Sequence, residues 1–305
     1  MAADLLSPHF QDADKAREYL EALRWPEGPI CPHCGCIGRA SRLEGKSHRK
    51  GLLFCGDCRK QFSVTVKTVF ERSKIPLNKW LLAVHLICAS KKAISSHQLH
   101  RMLGVTYKSA WFMSHRVREA MKSGSTGLMG TGGGIVEADE TYWGNNGKQR
   151  AGARGYDHKM KVVSLVERGG EKRSIVVRSV NGKTLKELLD QNVCKSAHLM
   201  TDEHAGYTKV GKEYASHGVT RHSKGQYVDG VNHSNTVESS FSLLKRGLVG
   251  TFHHVGEQHL QRYITEFDFR WNNRKICDRD RVEVLLHGVA GKRLKYQTAA
   301  PTQGA

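Results

Sequence analysis

The sequence predicts a multidomain protein: a short N-terminal helix, a cysteine-bearing module, a helical region, and a larger domain built on a mixed α/β sheet. Three observations carry this. Two Cys-x-x-Cys pairs stand close together near the N-terminus, a near-continuous helical pattern follows, and after a glycine-rich break the pattern alternates between strands and helices. At 305 residues the chain exceeds one ordinary domain, since domains usually run about 100 to 200 residues.

Charge narrows the class. Lys plus Arg number 48 against 29 Asp plus Glu, a formal net charge of +19, which points to a polyanionic partner, nucleic acid first. The most apolar stretch, Trp80 to Ala89, is half a membrane span and contains a histidine, so it reads as a buried helix and no membrane partner is expected. The N-terminus has early acids and no long apolar run, unlike a secretory leader, and a cytoplasmic location is expected.

The elements follow in order. Residues 1–28 contain an amphipathic helix, DADKAREYLEALRW, with Tyr19, Leu20 and Leu23 at helical spacing and a stop at Pro26. Residues 29–66 hold Cys31 and Cys34, then, after 20 intervening residues, Cys55 and Cys58. Thiolates two residues apart at a tight turn chelate one Zn²⁺, and a second such turn closes a tetrahedron of four sulfurs. Gly35 and Gly56 suit the two turns, and His33 and Cys36 are spare neighbours. A closed site of four thiolates has no position for water, so this zinc is expected to be structural.

Residues 67–122 read as helical, and ISSHQLHRMLGVTYKSAWFMSHRVREAM within them has the form of a helix-turn-helix. Ser95 or Ser96 starts one helix, Gly104 turns, and Tyr107 to Met121 forms the second, leaving Lys108, His115, Arg116 and Arg118 available for phosphates. A plain helical hairpin explains the same letters. Residues 123–134, SGSTGLMGTGGG, are the linker.

From 135 to 290 the order is strand IVEADETYW, a basic glycine-rich loop, strands KVVSLVER and RSIVVRSV, a helix near Thr184 to Asp190, strand AHLMTD, and helices NTVESSFSLLKRG and EQHLQRYITEFDFRWNNRK. That is a mixed α/β sheet. The tail, 291–305, reads as frayed. Three acids stand out: Asp139 within a strand, Asp202 at the end of another, and Glu238 on a helix. Alternation sends Glu140 to the opposite face from Glu137 and Asp139. Asn235 and Glu238 also form a capping box, in which Asn235 caps the helix and Glu238 reaches back to its first amide.

Asp202 and Glu238 are separated by 35 residues and Lys245 follows Glu238 by seven. With the cysteine module, the helix-turn-helix, VEADETYWG, TDEHAGY and HSNTVESSFSLLKRGLVGTFHHV, the chain resembles the zinc-ribbon insertion-sequence transposases with an ISXO-type Asp-Asp-Glu catalytic domain. The wider group is that of the retroviral integrases. The resemblance runs from about Asp14 to Arg274 and implies a ribonuclease H-like catalytic domain with Asp139, Asp202 and Glu238 as catalytic metal ligands and Lys245 as the basic residue beside them. Asn235, one turn earlier, is the alternative third position.

The resemblance further implies Mg²⁺ or Mn²⁺, two ions held by carboxylates. It implies double-stranded DNA as partner, both the terminal inverted repeats of an element and target DNA, contacted by Lys108, Arg116, Arg118, Lys245 and Arg246. Pairing of two ends implies at least a homodimer, in a prokaryotic cytoplasm at the nucleoid. The expected function is cleavage at element ends and transfer of 3′-hydroxyls into target DNA. A non-catalytic DNA-binding regulator descended from a transposase and a structure-specific nuclease of the same fold are the competing readings.

Overall fold

The computed structural model describes residues 5–124, 127–144, 156, 158–221, 223, 225, 228 and 230–295. The chain divides into two compact units, Met1–Lys122 with Ile276–Ala305, and Ser123–Lys275.

In the first unit, α1 (Pro8–Gln11) leads into α2 (Ala13–Arg24). Asp12 caps α2 by accepting from the Asp14 and Lys15 N–H groups at 2.8 Å, and Ala16 and Leu20 face the core. A three-stranded antiparallel sheet follows, β1 (Ala40–Arg42), β2 (Leu53–Cys55) and β3 (Gln61–Phe62), in that spatial order. Trp25 closes it from α2 with its ring edge-on to Phe62.

The two cysteine turns differ in one residue. The Gly35 N–H donates to Cys31 O, and Gly35 has φ +79°. The corresponding residue of the second turn is Arg59, whose N–H donates to Cys55 O at φ 55°. Gly56, expected to serve that turn, does not carry the positive φ; its N–H donates instead to Arg39 O. Nothing lies within 4 Å of a Cβ built on Gly35, so Gly35→Ala is expected to cost only the left-handed strain, roughly 1–2 kcal/mol. Chemical denaturation of the zinc-loaded protein measures this.

The hydrophobic stretch forms α3 (Leu77–Ala89), burying Trp80, Leu81, Val84 and Ile87. Two helices flank the expected turn: α4 (Ser96–Leu103) is capped by Ser95, Gly104 ends it in the left-handed region at φ 59°, and Thr106 caps α5 (Tyr107–Ala120). Its basic residues are a correction. Lys108 is exposed, but Arg116 is only 7% and Arg118 1% exposed, and His115 is fully buried. Arg116 donates to the carbonyl oxygens of Glu71 and Leu294 and lies over the Phe112 ring, while Arg118 donates to Ser114 Oγ. Neither guanidinium is presented to a phosphate.

The second unit is built on a five-stranded sheet. In chain order come β4 (Ile135–Trp143), β5 (Met160–Glu167) and β6 (Lys172–Val177), then α6 (Gly182–Asn192), β7 (His198–Thr201), α7 (Tyr207–Val210) and β8 (Ser216–Val219). The spatial order is β6-β5-β4-β7-β8, with β4, β5 and β6 an antiparallel meander and β4, β7 and β8 parallel. This is the ribonuclease H-like arrangement, with β8 added to the expected strands. The basic loop expected after β4 lies largely outside the described residues.

Two helices complete the unit, α8 (Asn235–Gly247) and, after a π-helical turn, α9 (Glu257–Asn272). Val136 and Ala138 on one face of β4 join Val163, Leu165, Leu185, Leu189, Leu199 and Tyr207 in the main core. Val166 packs with Val237 and Phe241 of α8. Along the outer edge of β6 the backbone N–H groups of Lys172, Ser174 and Val176 donate to Asn272, Asp268 and Gln261 at 2.7–2.8 Å. Gln261 and Asn272 return donors to the carbonyls of Ser174 and Lys172.

The chain then rejoins the first unit. α10 (Asp278–His287) packs on α3 and α2, and Arg281 donates to Cys88 O at 2.9 Å. The expected boundary at 290 is therefore corrected to about 275, because the last helix buries Val282, Leu285 and Leu286 in the N-terminal unit.

Candidate active site

The register of the sheet brings the first two acids together. Glu137 of β4 pairs with Met200 of the parallel strand β7, so Asp139 and Asp202, each two residues further, lie side by side where β7 ends; neighbouring strands are about 4.8 Å apart. Among the described residues no strand covers that edge of β4 beyond Thr201. The Glu140 N–H donates to Asp139 Oδ1 at 2.7 Å, and the His204 N–H holds Asp202 Oδ1 at 3.0 Å.

Alternation holds for Glu140, which accepts from the Tyr207 hydroxyl on the α7 side at 3.1 Å. Because the neighbouring strand has stopped, its carboxylate nonetheless comes around the sheet end. One oxygen each from Asp139, Glu140 and Asp202 lie within 4.8 Å of one another. Sequence reasoning missed this acid, since strand periodicity says nothing of where a neighbour ends. His204 is oriented beside it, with Nδ1 accepting from the Gly206 N–H and Nε2 3.6 Å from Glu140 Oε1.

The electrostatics are those of crowded carboxylates. Burial, followed by the charge of Asp202 and smaller contributions from Glu140 and Glu238, pushes the half-buried Asp139 up to about 8. Burial and then Asp202 also raise Glu140, against the pull of His204. A set of hard oxygen donors that repel one another in this way fits a divalent cation.

Glu238 sits in the first turn of α8, half-buried, and accepts from Ser234 Oγ at 2.7 Å. The expected capping box is not formed. Ser234 occupies the N-cap position without a side-chain cap bond, and Asn235, exposed, is the first helical residue. Glu137 caps the helix instead, accepting from the Thr236 and Val237 N–H groups at 2.8 and 3.0 Å. Lys245 and Arg246 are exposed in the last turns of α8. Lys245 is seven residues, about 10 Å, along the helix from Glu238.

The four cysteines of the first unit also converge. Cys31, Cys34, Cys55 and Cys58 place their sulfurs within 4.8 Å of one another, with Cys31–Cys58 and Cys34–Cys55 both at 3.7 Å. A zinc tetrahedron with Zn–S bonds near 2.3 Å has edges of about 3.8 Å, so the set fits a zinc ion. Cys36 Sγ turns to the Ile37 carbonyl and His33 to Gln61 O, leaving both outside the tetrahedron.

Two family models match the chain. A transposase zinc-ribbon domain matches residues 11–61, and an ISXO2-like transposase domain matches residues 131–272. Over 278 residues the chain is 29% identical to an uncharacterised protein in transposable element ISH50 of Halobacterium salinarum, covering 86% of this chain and 91% of that protein. Among the described residues no helix is long and apolar enough to cross a membrane. With a zinc ribbon of four convergent thiols ahead of a ribonuclease H-like sheet that gathers acids at its centre, the chain belongs to the zinc-ribbon insertion-sequence transposases with an ISXO2-like transposase domain.

Proposed function

We propose that the chain cleaves DNA at the ends of an insertion sequence and joins the resulting 3′-hydroxyls to target DNA. The observation that carries this reading is the meeting of Asp139 and Asp202 at the end of β7, where burial and then the charge of Asp202 raise Asp139 to about 8, with a smaller contribution from Glu238. Asp139, Asp202 and Glu238 would hold Mg²⁺ or Mn²⁺, with Glu140 a further carboxylate at the same sheet end. The chemistry such a pair of ions supplies when bound is activation of a water or 3′-hydroxyl and stabilisation of the leaving 3′-oxygen.

The remaining roles belong to the chain itself. Asp139 must release its proton before it can act as a ligand, and the Glu140 N–H then stabilises the carboxylate. The exposed Lys245 and Arg246 supply cations to a DNA phosphate, and Lys108 does so from the first turn of α5. The zinc ribbon and the helix-turn-helix provide recognition of element ends. A net charge of +19 suits that partner, and binding should weaken steeply with salt.

The test uses purified protein, a DNA duplex carrying one element end, and Mg²⁺ or Mn²⁺. The unaltered protein is expected to give both cleaved and joined products. Asp202→Asn is expected to give neither, while binding the duplex within about twofold, since it removes no contact to phosphate. Joining by the Asn variant sinks the assignment. Cleavage without joining in the unaltered protein identifies a nuclease, and salt-sensitive binding with no strand chemistry identifies a regulator.

A further inference from the structure

Glu137 has no part in the metal cluster, yet it is fully buried at the centre of the unit. Both its oxygens are saturated. Oε1 accepts from Arg168 Nε at 2.6 Å and from the Thr236 hydroxyl at 2.8 Å, and Oε2 takes the two first-turn N–H groups of α8. The same Arg168 guanidinium donates to the carbonyls of Val231 and His233, in the segment entering α8. One carboxylate and one guanidinium thus fasten the start of α8, and the chain leading into it, to the central strand.

The placement of this clasp has a geometric consequence. Glu137 and Asp139 are two residues apart on one face of β4, about 7 Å along the strand. Val237, gripped by Glu137, is the residue immediately before Glu238. The strand face that presents Asp139 therefore holds the helical turn that presents Glu238. A negative charge at the start of a 13-residue helix is also favoured by the helix dipole. Ser234, which donates to Glu238, lies within the same clasped segment.

We infer that Glu137, acting with Arg168, is a positioning residue that sets the distance of Glu238 from Asp139 and Asp202, and so sets the affinity of the acidic site for its cation. The inference rests on the reading that Glu238 supplies the third carboxylate. Glu137 touches neither DNA nor cation; it acts through the first turn of α8.

The test is a double-variant cycle on the full-length protein, read by calorimetric titration with Mn²⁺. Glu137→Gln keeps the size of the side chain but presents only one acceptor oxygen, and sets an amide N–H₂ against either Arg168 or the helix amides. It is expected to raise the Mn²⁺ dissociation constant about 10- to 100-fold, the usual effect of losing a partner that orients a ligand. DNA binding should stay within about twofold and joining should slow, a split between binding and turnover. Combined with Glu238→Gln, it should add less than about twofold to the effect of Glu238→Gln alone, because the two act on one contact.

Unchanged Mn²⁺ affinity in Glu137→Gln, or effects that multiply in the double variant, overturns the inference while leaving the three-acid site standing. Unchanged affinity in Glu238→Gln removes Glu238 from the site, and the inference with it. Should Glu137→Gln fail to fold, Thr236→Val deletes only the hydroxyl bond to Oε1, and it should weaken Mn²⁺ several-fold in the unaltered background and not in Glu238→Gln. Equal weakening in both backgrounds counts against the inference.

Discussion

Asp139→Asn is expected to melt higher than the unaltered protein in the absence of divalent cations and to lose strand cleavage. On the proposed site, the activity loss follows from removing one of the carboxylates that would neutralise the cation. Several kcal/mol of transition-state stabilisation, at about 1.4 kcal/mol per decade, corresponds to a loss of roughly a thousandfold or more. The stability gain follows from the burial, and after it the neighbouring carboxylates, that raise Asp139 from 3.8 to about 8.

The sign follows from proton counts. Between pH 3.8 and about 8 the folded chain keeps a proton on Asp139 that the unfolded chain has lost, so the folded state binds more protons and stability falls as pH rises across that window. Above about 8 both states are ionised and the cost is constant. The gain from Asn should therefore grow from pH 5 to 8 and then level off, reaching about 0.5–2 kcal/mol, typical of relieving a functional site. Thermal melting in chelator at pH 5, 7 and 9 measures it. Mn²⁺ should raise the melting temperature of the unaltered protein, more at pH 8 than at pH 6, and leave the variant where it is. Identical melting of the two proteins at every pH sinks the crowding argument.

Removing zinc is expected to unfold β1, β2 and β3 while leaving the acidic site able to bind Mn²⁺. The ribbon's sheet has strands of only two or three residues and buries few large side chains, chiefly Leu53 and Phe62. So small a sheet cannot offset its own conformational entropy. A structural zinc contributes about 10–16 kcal/mol to such a module at neutral pH. Cys58→Ser should release one zinc per chain, expose the ribbon to limited proteolysis and abolish recognition of element ends. Cys36→Ser, whose sulfur lies outside the tetrahedron, should stay within about 0.5 kcal/mol of the unaltered protein. Retention of zinc by Cys58→Ser, or its loss from Cys36→Ser, would reassign the ligands.

Features written into short stretches of sequence were legible beforehand. The two Cys-x-x-Cys pairs, the helix start at Ser95 or Ser96 with the turn at Gly104, and β4 from Ile135 to Trp143 all depend on residues close in the chain. Features decided by distant segments were not. Arg116 looks solvent-facing on α5 because nothing nearby reveals that Leu294 will return to accept its hydrogen bond. The cap of α8 comes from Glu137, 98 residues before its first helical residue, Asn235, so the adjacent Asn-x-x-Glu pattern suggested a local cap that does not form. β8 has weak alternation and a central glycine, and it is a strand only because β7 offers it a parallel neighbour. Glu140 approaches Asp139 only because β7 stops at Thr201.

The side chains of α9 along β6 bear on how copies of this chain can assemble. A bare edge strand is a template onto which a second chain can hydrogen-bond, extending one sheet into another. Here the outward N–H groups at 172, 174 and 176 are already taken by residues 272, 268 and 261. A second copy would have to strip away that whole row of contacts to add a strand at this margin. The sheet is closed to growth on the β6 side, so pairing of two copies by strand addition would have to use another edge.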